Sequence, residues 1–340
     1  MQAFDSLSRD IQQYIYDKGW PSLTNIQSAA IKQVANTDHN LILSAPTASG
    51  KTEAAFIPAL NSVEDWETGL KVLYVSPLKA LINDQFQRIS ELSEYLDIPI
   101  TRWHGEVSQT QKRKVVNQPK GILLITPESI EGMLVNRPGE AEHLFKGVEW
   151  IIIDELHSFL GTERGIHLQS LLQRISRFMQ APRFIAMSAT LNKKDFGYAK
   201  AFFGSPRHTD ILVDRVKNDL LITIDYTSGE SGPFVARESL EAIYQYSKTE
   251  TMLIFPNSRN RVEEITHKLD KMAKRRTHRS AILRIIRQST NCYAKKLNFS
   301  PKTMRSSCSR SPVLPHWNWE SISAPWIASS SMAPRHPLPR

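Results

Sequence analysis

Cysteine is almost absent from this chain: of 340 residues only Cys292 and Cys308 are cysteines, and both stand in its final stretch. The rest therefore holds neither a disulfide framework nor a cysteine-ligated metal. Long apolar runs are absent too. No stretch of about 18 apolar residues exists, so no segment is a candidate to cross a bilayer as a helix, and no membrane is expected as a partner. The first ten residues, Met1 to Asp10, lack both the basic-then-apolar order of a signal peptide and the arginine richness of a transit sequence, and the expected location is cytoplasmic. Acids are scarce in one place only. From Thr277 to Arg340 ten Lys and Arg face a single acid, Glu320, which accounts for the whole formal charge of +9. The 276 residues before that point are formally neutral, so the basic isoelectric point describes a tail and gives no warrant for a basic binding face.

What is present is organised around Leu41 to Thr52, an apolar strand that stops at a loop ending in Gly50-Lys51-Thr52. A phosphate-wrapping loop needs inward backbone N–H groups, a Lys for the β/γ oxygens and a hydroxyl for Mg²⁺. Ala45, Pro46, Thr47, Ala48, Ser49 and Gly50 supply the loop, Lys51 the cation and Thr52 the hydroxyl. The glycine that usually opens this pattern is missing. Ala45 stands there, and Ala45-Pro46-Thr47 keeps the small, turn-forming character.

Taken in order, Leu7, Ile11, Tyr14 and Ile15 give residues 5–18 the spacing of an amphipathic helix, ended by Gly19. A second helix opens after Pro21, with Ser22 or Thr24 as candidate cap and Gln27 in its first turns. Alone, Gln27 reads as a surface side chain; a phosphate loop shortly downstream gives it another possible use. Apolar strands follow at 71–77, 98–103, 121–126, 149–153 and 183–187, with a long helical pattern through Leu81, Phe86, Ile89 and Leu92 and another at 165–178. Alternation of this kind specifies an α/β fold, a parallel sheet with helices on both faces, whose ligands gather at the carboxyl ends of the strands. Periodicity lapses around Phe203 to His208. Strand 220–224, helix 235–248, strand 251–255 and helix 258–274 then begin a second α/β series. The expected domains are 1–207, a partial second domain over 218–276, and a tail, 277–340, without periodicity and expected to be disordered.

The other half of the chemistry is Asp154-Glu155 at the end of an all-apolar strand. Hydrolysis of a nucleoside triphosphate needs a carboxylate on the metal and a group that orients the attacking water. Asp154 suits the first and Glu155 the second. The bland alternative, an acidic first turn capping a helix, leaves Lys51 and Thr52 without a counterpart. His157, fourth in the Asp-Glu-x-His string, is expected to bond across to the Ser188-Ala-Thr190 strand end.

Together these motifs resemble the superfamily 2 helicases. Thr24-Asn-Ile-Gln27 is similar to the adenine-reading Q motif, Ala45 to Thr52 to motif I, Asp154 to His157 to motif II in its DExH form, and Ser188-Ala-Thr190 to motif III, which in the family couples hydrolysis to unwinding. Ser76 to Gln85, His104 to Ser108 and Thr126 to Ser129 resemble motif Ia, an intervening glycine loop and motif Ib. The resemblance implies nucleic-acid contacts at Pro77, Lys79, Gly105, Thr126 and Pro127. Phe255 to Arg259 resembles motif IV, implying strand contacts at Asn257, Ser258 and Arg259. The wording of Ser76 to Asp84 and of Asp154 to Gly165 is similar to the bacterial large helicase-related proteins. That resemblance implies a RecA-like fold, ATP and Mg²⁺ as cofactors, and 3′→5′ movement on single-stranded DNA. RNA or an RNA–DNA hybrid stays open as the partner, because recognition of a 2′-hydroxyl leaves no mark in these motifs; the sequence says nothing of oligomeric state. Strand ends that run into helix starts present free N–H groups to phosphate, so sequence-independent, salt-sensitive binding is expected.

Motifs V and VI, the second supplying the family's arginine finger, are not found. The tail offers a reason. Read one base early, the codons of His316 to Glu320 can encode only Leu-Glu-Leu-Gly, the heart of motif V in this family, and Asn291 to Tyr293 force Leu-Leu. A single-base shift near residues 270–282 is therefore expected, with 277–340 out of frame and the present product impaired, at the limit an ATP- and strand-binding fragment.

Overall fold

The structure, a computed structural model, describes residues 2–46, 49–214, 235–249, 253–256, 258–275 and 284–285. These fall into two units, one within Met1–Lys217 and one within Asn218–Leu314.

In the first unit the strands β1 (Asn40–Ser44), β2 (Gly69–Val75), β3 (Ile100–Trp103), β4 (Lys120–Ile125), β5 (Trp150–Ile153), β6 (Arg183–Ser188) and β7 (Thr209–Val213) form one sheet in the order β3-β4-β2-β5-β6-β1-β7. Every pairing is parallel. The helices are α1 (Arg9–Asp17), α2 (Asn25–Asn36), α3 (Lys51–Ser62), α4 (Lys79–Tyr95), α5 (Gln109–Asn117), α6 (Pro127–Asn136), α7 (Pro138–Phe145), α8 (Glu163–Ser176) and α9 (Phe196–Ala201).

Side chains alternate along each strand, so one sheet feeds two cores. Leu41, Leu43, Val72, Tyr74 and Ile152 pack with α1 to α4; Ile42, Leu73, Val75, Ile151 and Ile153 pack with α6 to α9. The same parity sets the side on which residues just past the strand ends lie. Asp154, two residues beyond Ile152, lies on the face covered by α3, the helix that begins at Lys51.

Three differences from the sequence reading have local causes. The pattern over 5–18 is split, because the Ser8 hydroxyl accepts from Ile11 N and starts α1 afresh after a 3₁₀ turn at Phe4–Ser6. Segment 98–103, expected as a buried strand, is the half-exposed sheet edge Ile100–Trp103, with only Trp103 buried. No strand was expected between 208 and 220, yet Thr209–Val213 continues the first sheet past residue 207 by pairing with β1. Its residues are mostly half-buried, as befits an edge with one neighbour, and such a strand carries little apolar signal.

The second unit contains α10 (Arg237–Thr249), α11 (Arg259–Arg275) and a short parallel pair, β8 (Leu253–Ile254) with β9 (Arg284–Ile285). Leu240, Tyr244, Ile265 and Leu269 form its small core. β9 lies inside the stretch expected to be a disordered tail, so part of that stretch is a strand. The rest of 277–340, together with Thr47, Ala48, Asn257 and the expected strand 220–224, lies outside the described residues.

Candidate functional site: a phosphate loop facing a buried carboxylate

The loop after β1 is tied down from two sides. Gln27 and Thr24 form a reciprocal cap on α2: Gln27 Oε1 accepts from Thr24 N at 2.9 Å, and Gln27 N donates to Thr24 Oγ1 at 3.4 Å. The same two side chains reach the loop. Thr24 Oγ1 donates to Ser49 O at 3.2 Å and Gln27 Nε2 to Gly50 O at 3.4 Å. Gln27 is thus buried, contrary to its isolated reading, and keeps one N–H and one lone pair for a ligand. Gly50 has φ +82°, and a Cβ there would stand 2.4 Å from Gln27 Nε2, so a side chain at this position would be strained and would displace the Gln27 amide. Immediately after it α3 begins, its first N–H groups lacking any side-chain cap. Lys51 Nζ donates to Ala45 O and Pro46 O, both at 2.7 Å, folding back over the loop. Thr52, buried, donates through Oγ1 to Gln85 Oε1 of α4 at 3.2 Å.

Asp154 follows β5, which β6 separates from β1. Its carboxylate is buried; Oδ2 accepts a short bond from the Tyr74 hydroxyl and Oδ1 accepts from Glu155 N at 2.9 Å. Burial pushes its pKa up, while the Tyr74 bond, the Glu155 N–H and the Lys51 and Arg88 charges oppose that rise. Glu155 sits at φ 49°, ψ 46°, the left-handed region that costs a residue with a Cβ of order 1–3 kcal/mol when it is held there. That turn follows the end of β5 at Ile153.

His157 links the two strand ends. Its Nδ1 lies 3.2 Å from Glu155 Oε2 and 3.3 Å from Ser188 Oγ. The Ser188 hydroxyl donates to Thr190 O at 2.8 Å, and its lone pairs suit a proton on His157 Nδ1. Burial, and then the Lys51 charge, lowers the His157 pKa, keeping the ring neutral near pH 7.

The motifs resembling Ia and Ib meet through a residue to which the sequence reading gave no role. Arg164 donates to Pro77 O at 2.6 Å and to Glu128 Oε1 at 2.6 Å, so one guanidinium holds the starts of α4 and α6 together. An arginine in the first turn of a helix opposes the dipole, and that misplacement in α8 was the signal available. Neither Leu78 nor Thr126 caps its helix with its side chain; Thr126 Oγ1 bonds to Ser129 Oγ at 3.0 Å, and Pro127 opens α6. Lys79 and the Gly105 loop lie together: Lys79 Nζ is 3.6 Å from Glu106 Oε1. Such an exposed pair contributes little and leaves the ammonium available. Ser258 accepts from Arg261 N at 3.3 Å at the start of α11 and belongs to the second unit. Tyr74 and Gln85 were also missed, since in sequence they look like core and helix-surface residues.

The profile of the DEAD/DEAH box helicases matches residues 24–196, about half of the chain. The chain belongs to that family. Its curated relatives include an ATP-dependent helicase Lhr-Core protein of Thermococcus barophilus, 30% identical over 87% of this chain and 37% of the relative. They also include the Lhr helicase/uracil glycosylase of Escherichia coli, 29% identical over 76% of this chain and 19% of the relative. Among solved structures, Mycobacterium smegmatis Lhr bound to single-stranded DNA and AMP-PNP superposes with a TM-score of 0.70 at 24% identity, over 82% of this chain and 37% of that one. The helicase MrfA bound to DNA and AMPPNP gives 0.62 at 26%, over 80% and 39%. The sheet is therefore RecA-like, and the large helicase-related likeness rests on curated relatives as well as motifs. This family member spans about a third of the length of the first curated relatives it matches.

Proposed function

We propose that this family member binds ATP with Mg²⁺ in the first unit and uses it to drive movement along a nucleic-acid strand, most simply single-stranded DNA in the 3′→5′ sense. The observation that carries the reading is the buried Asp154 carboxylate at one strand end with Lys51 and Thr52 at another, close enough for the Lys51 charge to act on both Asp154 and His157. The donor set fits a hard cation: a hydroxyl and a buried carboxylate, both oxygen. Thr52 and Asp154 would hold Mg²⁺, which when bound offsets charge on the phosphates. Lys51 exchanges two carbonyls for phosphate oxygens, and Gln27 offers its spare N–H and lone pair to the base. Glu155 orients water and takes its proton; neutral His157 holds Glu155 toward the cleft and ties it to Ser188 and Thr190. The strand is assigned to the α4 and α6 starts, with Pro77, Lys79, Gly105, Thr126 and Pro127, and to Ser258, Asn257 and Arg259 in the second unit.

The domain assignment rests on the same reading: 1–207, extended by β7 through Val213, as the ATP-binding part, 218–276 as part of a second RecA-like domain, and 277–340 as out-of-frame sequence. Motifs V and VI are not found in these 340 residues, which favours a second reading, a fragment that binds nucleotide and strand but turns over slowly; an arginine finger is worth about 10³–10⁵ in rate. Single-turnover ATP hydrolysis, with and without single-stranded DNA or RNA, separates these readings. Strand-stimulated turnover removed by Glu155→Gln supports the motor; nucleotide binding without turnover supports the fragment. Equal binding of a fluorescent ATP analogue by the parent and Lys51→Ala refutes both.

A further inference from the structure

We propose that His39, His208 and Asp210 form a binding site for a divalent transition-metal ion of the zinc type, at the amino-terminal edge of the sheet and away from the nucleotide cleft. The fold itself builds the cluster. β1 and β7 pair in register from Asn40 and Thr209, and Asn40 N donates to His208 O at 2.8 Å. The residues that precede these strands, His39 and His208, are therefore neighbours, and their ring centroids lie 4.8 Å apart. Asp210 stands two residues beyond His208, and alternation along extended chain returns its side chain to the same face.

Asp210 bridges both rings, with Oδ2 at 2.6 Å from His39 Nδ1 and Oδ1 at 3.2 Å from His208 Nε2. One ligand atom from each residue lies within 4.8 Å of the others. A tetrahedral ion with bonds of about 2.0–2.2 Å needs ligand separations of about 3.4 Å, so binding opens the His39–Asp210 contact from 2.6 Å and turns the exposed His208 ring. Gln33 Nε2 donates to Asp210 Oδ2 at 2.6 Å and fixes the carboxylate from α2, as an outer-shell partner should. Two guanidiniums stand on this edge, and both are engaged: Arg183 Nη2 donates to His39 O at 2.9 Å and Arg207 pairs with Asp38 at 2.6 Å.

Two imidazoles and one carboxylate select a borderline ion and select against Mg²⁺, which prefers oxygen. The His208 side chain is 59% exposed, which leaves an entry path and a fourth position for water. The ion would pin β7, an edge strand with one neighbour, to β1.

The test is titration of Zn²⁺ into the untagged, chelator-stripped chain in excess Mg²⁺. Because the chain has ten histidines, variants decide. One equivalent should bind at micromolar concentration. His208→Ala and Asp210→Asn should each weaken it at least tenfold, whereas Lys51→Ala and His143→Ala, outside the cluster, should leave it unchanged. His208→Ala removes an exposed ring, so its circular dichroism should match the parent. Co²⁺ should give visible bands that His39→Ala/His208→Ala abolishes. Absence of micromolar binding, or equal binding by that double variant, overturns the proposal.

Discussion

Tyr74→Phe isolates the bond on which the buried acid depends. The ring of Tyr74 is fully buried beside Phe56, 5.7 Å between centroids, and phenylalanine preserves that packing. Only the hydroxyl that donates to Asp154 Oδ2 is lost. A hydrogen bond to a buried charged group contributes about 1.5–3 kcal/mol. For a unit of this size, that lowers the melting temperature by about 3–12 °C near neutral pH. The pH dependence carries a sign. Burial raises the folded pKa of Asp154 above the ordinary 3.8 despite the Tyr74 bond, so its contribution is most favourable below 3.8 and is lost as pH rises through the folded value. Removing the hydroxyl raises the folded value further and enlarges that loss. Urea denaturation of both proteins at about pH 4.5 and about pH 7.5 should show the larger difference at the higher pH, with Asp154→Asn reducing the pH dependence. A difference below about 0.5 kcal/mol at both pH values, or one larger in acid, refutes this account of the carboxylate.

Other outcomes rest on the same geometry. Gly121→Ala places a Cβ 1.9 Å from Pro99 O at φ +71°, and should destabilise the first unit by about 2–5 kcal/mol from strain and overpacking, measured by chemical denaturation. Arg164→Ala should weaken single-strand binding several-fold while leaving affinity for the ATP analogue within twofold, since it joins Pro77 to Glu128 and touches no phosphate-loop residue; equal losses in both assays contradict that division. Affinity for single-stranded DNA should fall steeply between two salt concentrations without dependence on base sequence, because the proposed contacts are to phosphate. Restoring the frame by one base near codon 275 should return strand-stimulated ATP hydrolysis, and an unchanged rate counts against the frameshift.

The sequence by itself determined the class of sheet and the half of the site that is contiguous. Leu41 to Thr52 and Glu149 to His157 could be read because strand, turn and polar residues are neighbours in the chain, and the alternation of apolar strands with helical periods fixes a parallel sheet. Tertiary structure alone decided which side chains complete the cleft. Tyr74 announces only that it is aromatic in a strand; that its hydroxyl meets Asp154 depends on β2 lying beside β5 in one register. Arg164 bridges Pro77 and Glu128 because α8 starts near α4 and α6, and no spacing encodes that approach. β7 escaped because an edge strand needs no continuous apolar run. Its pairing with β1 also brings together His39, His208 and Asp210, residues up to 171 positions apart whose union depends on strand order. Local pattern specifies elements, since propensity and periodicity act over a few residues; contacts between elements depend on sheet order, which no local stretch contains.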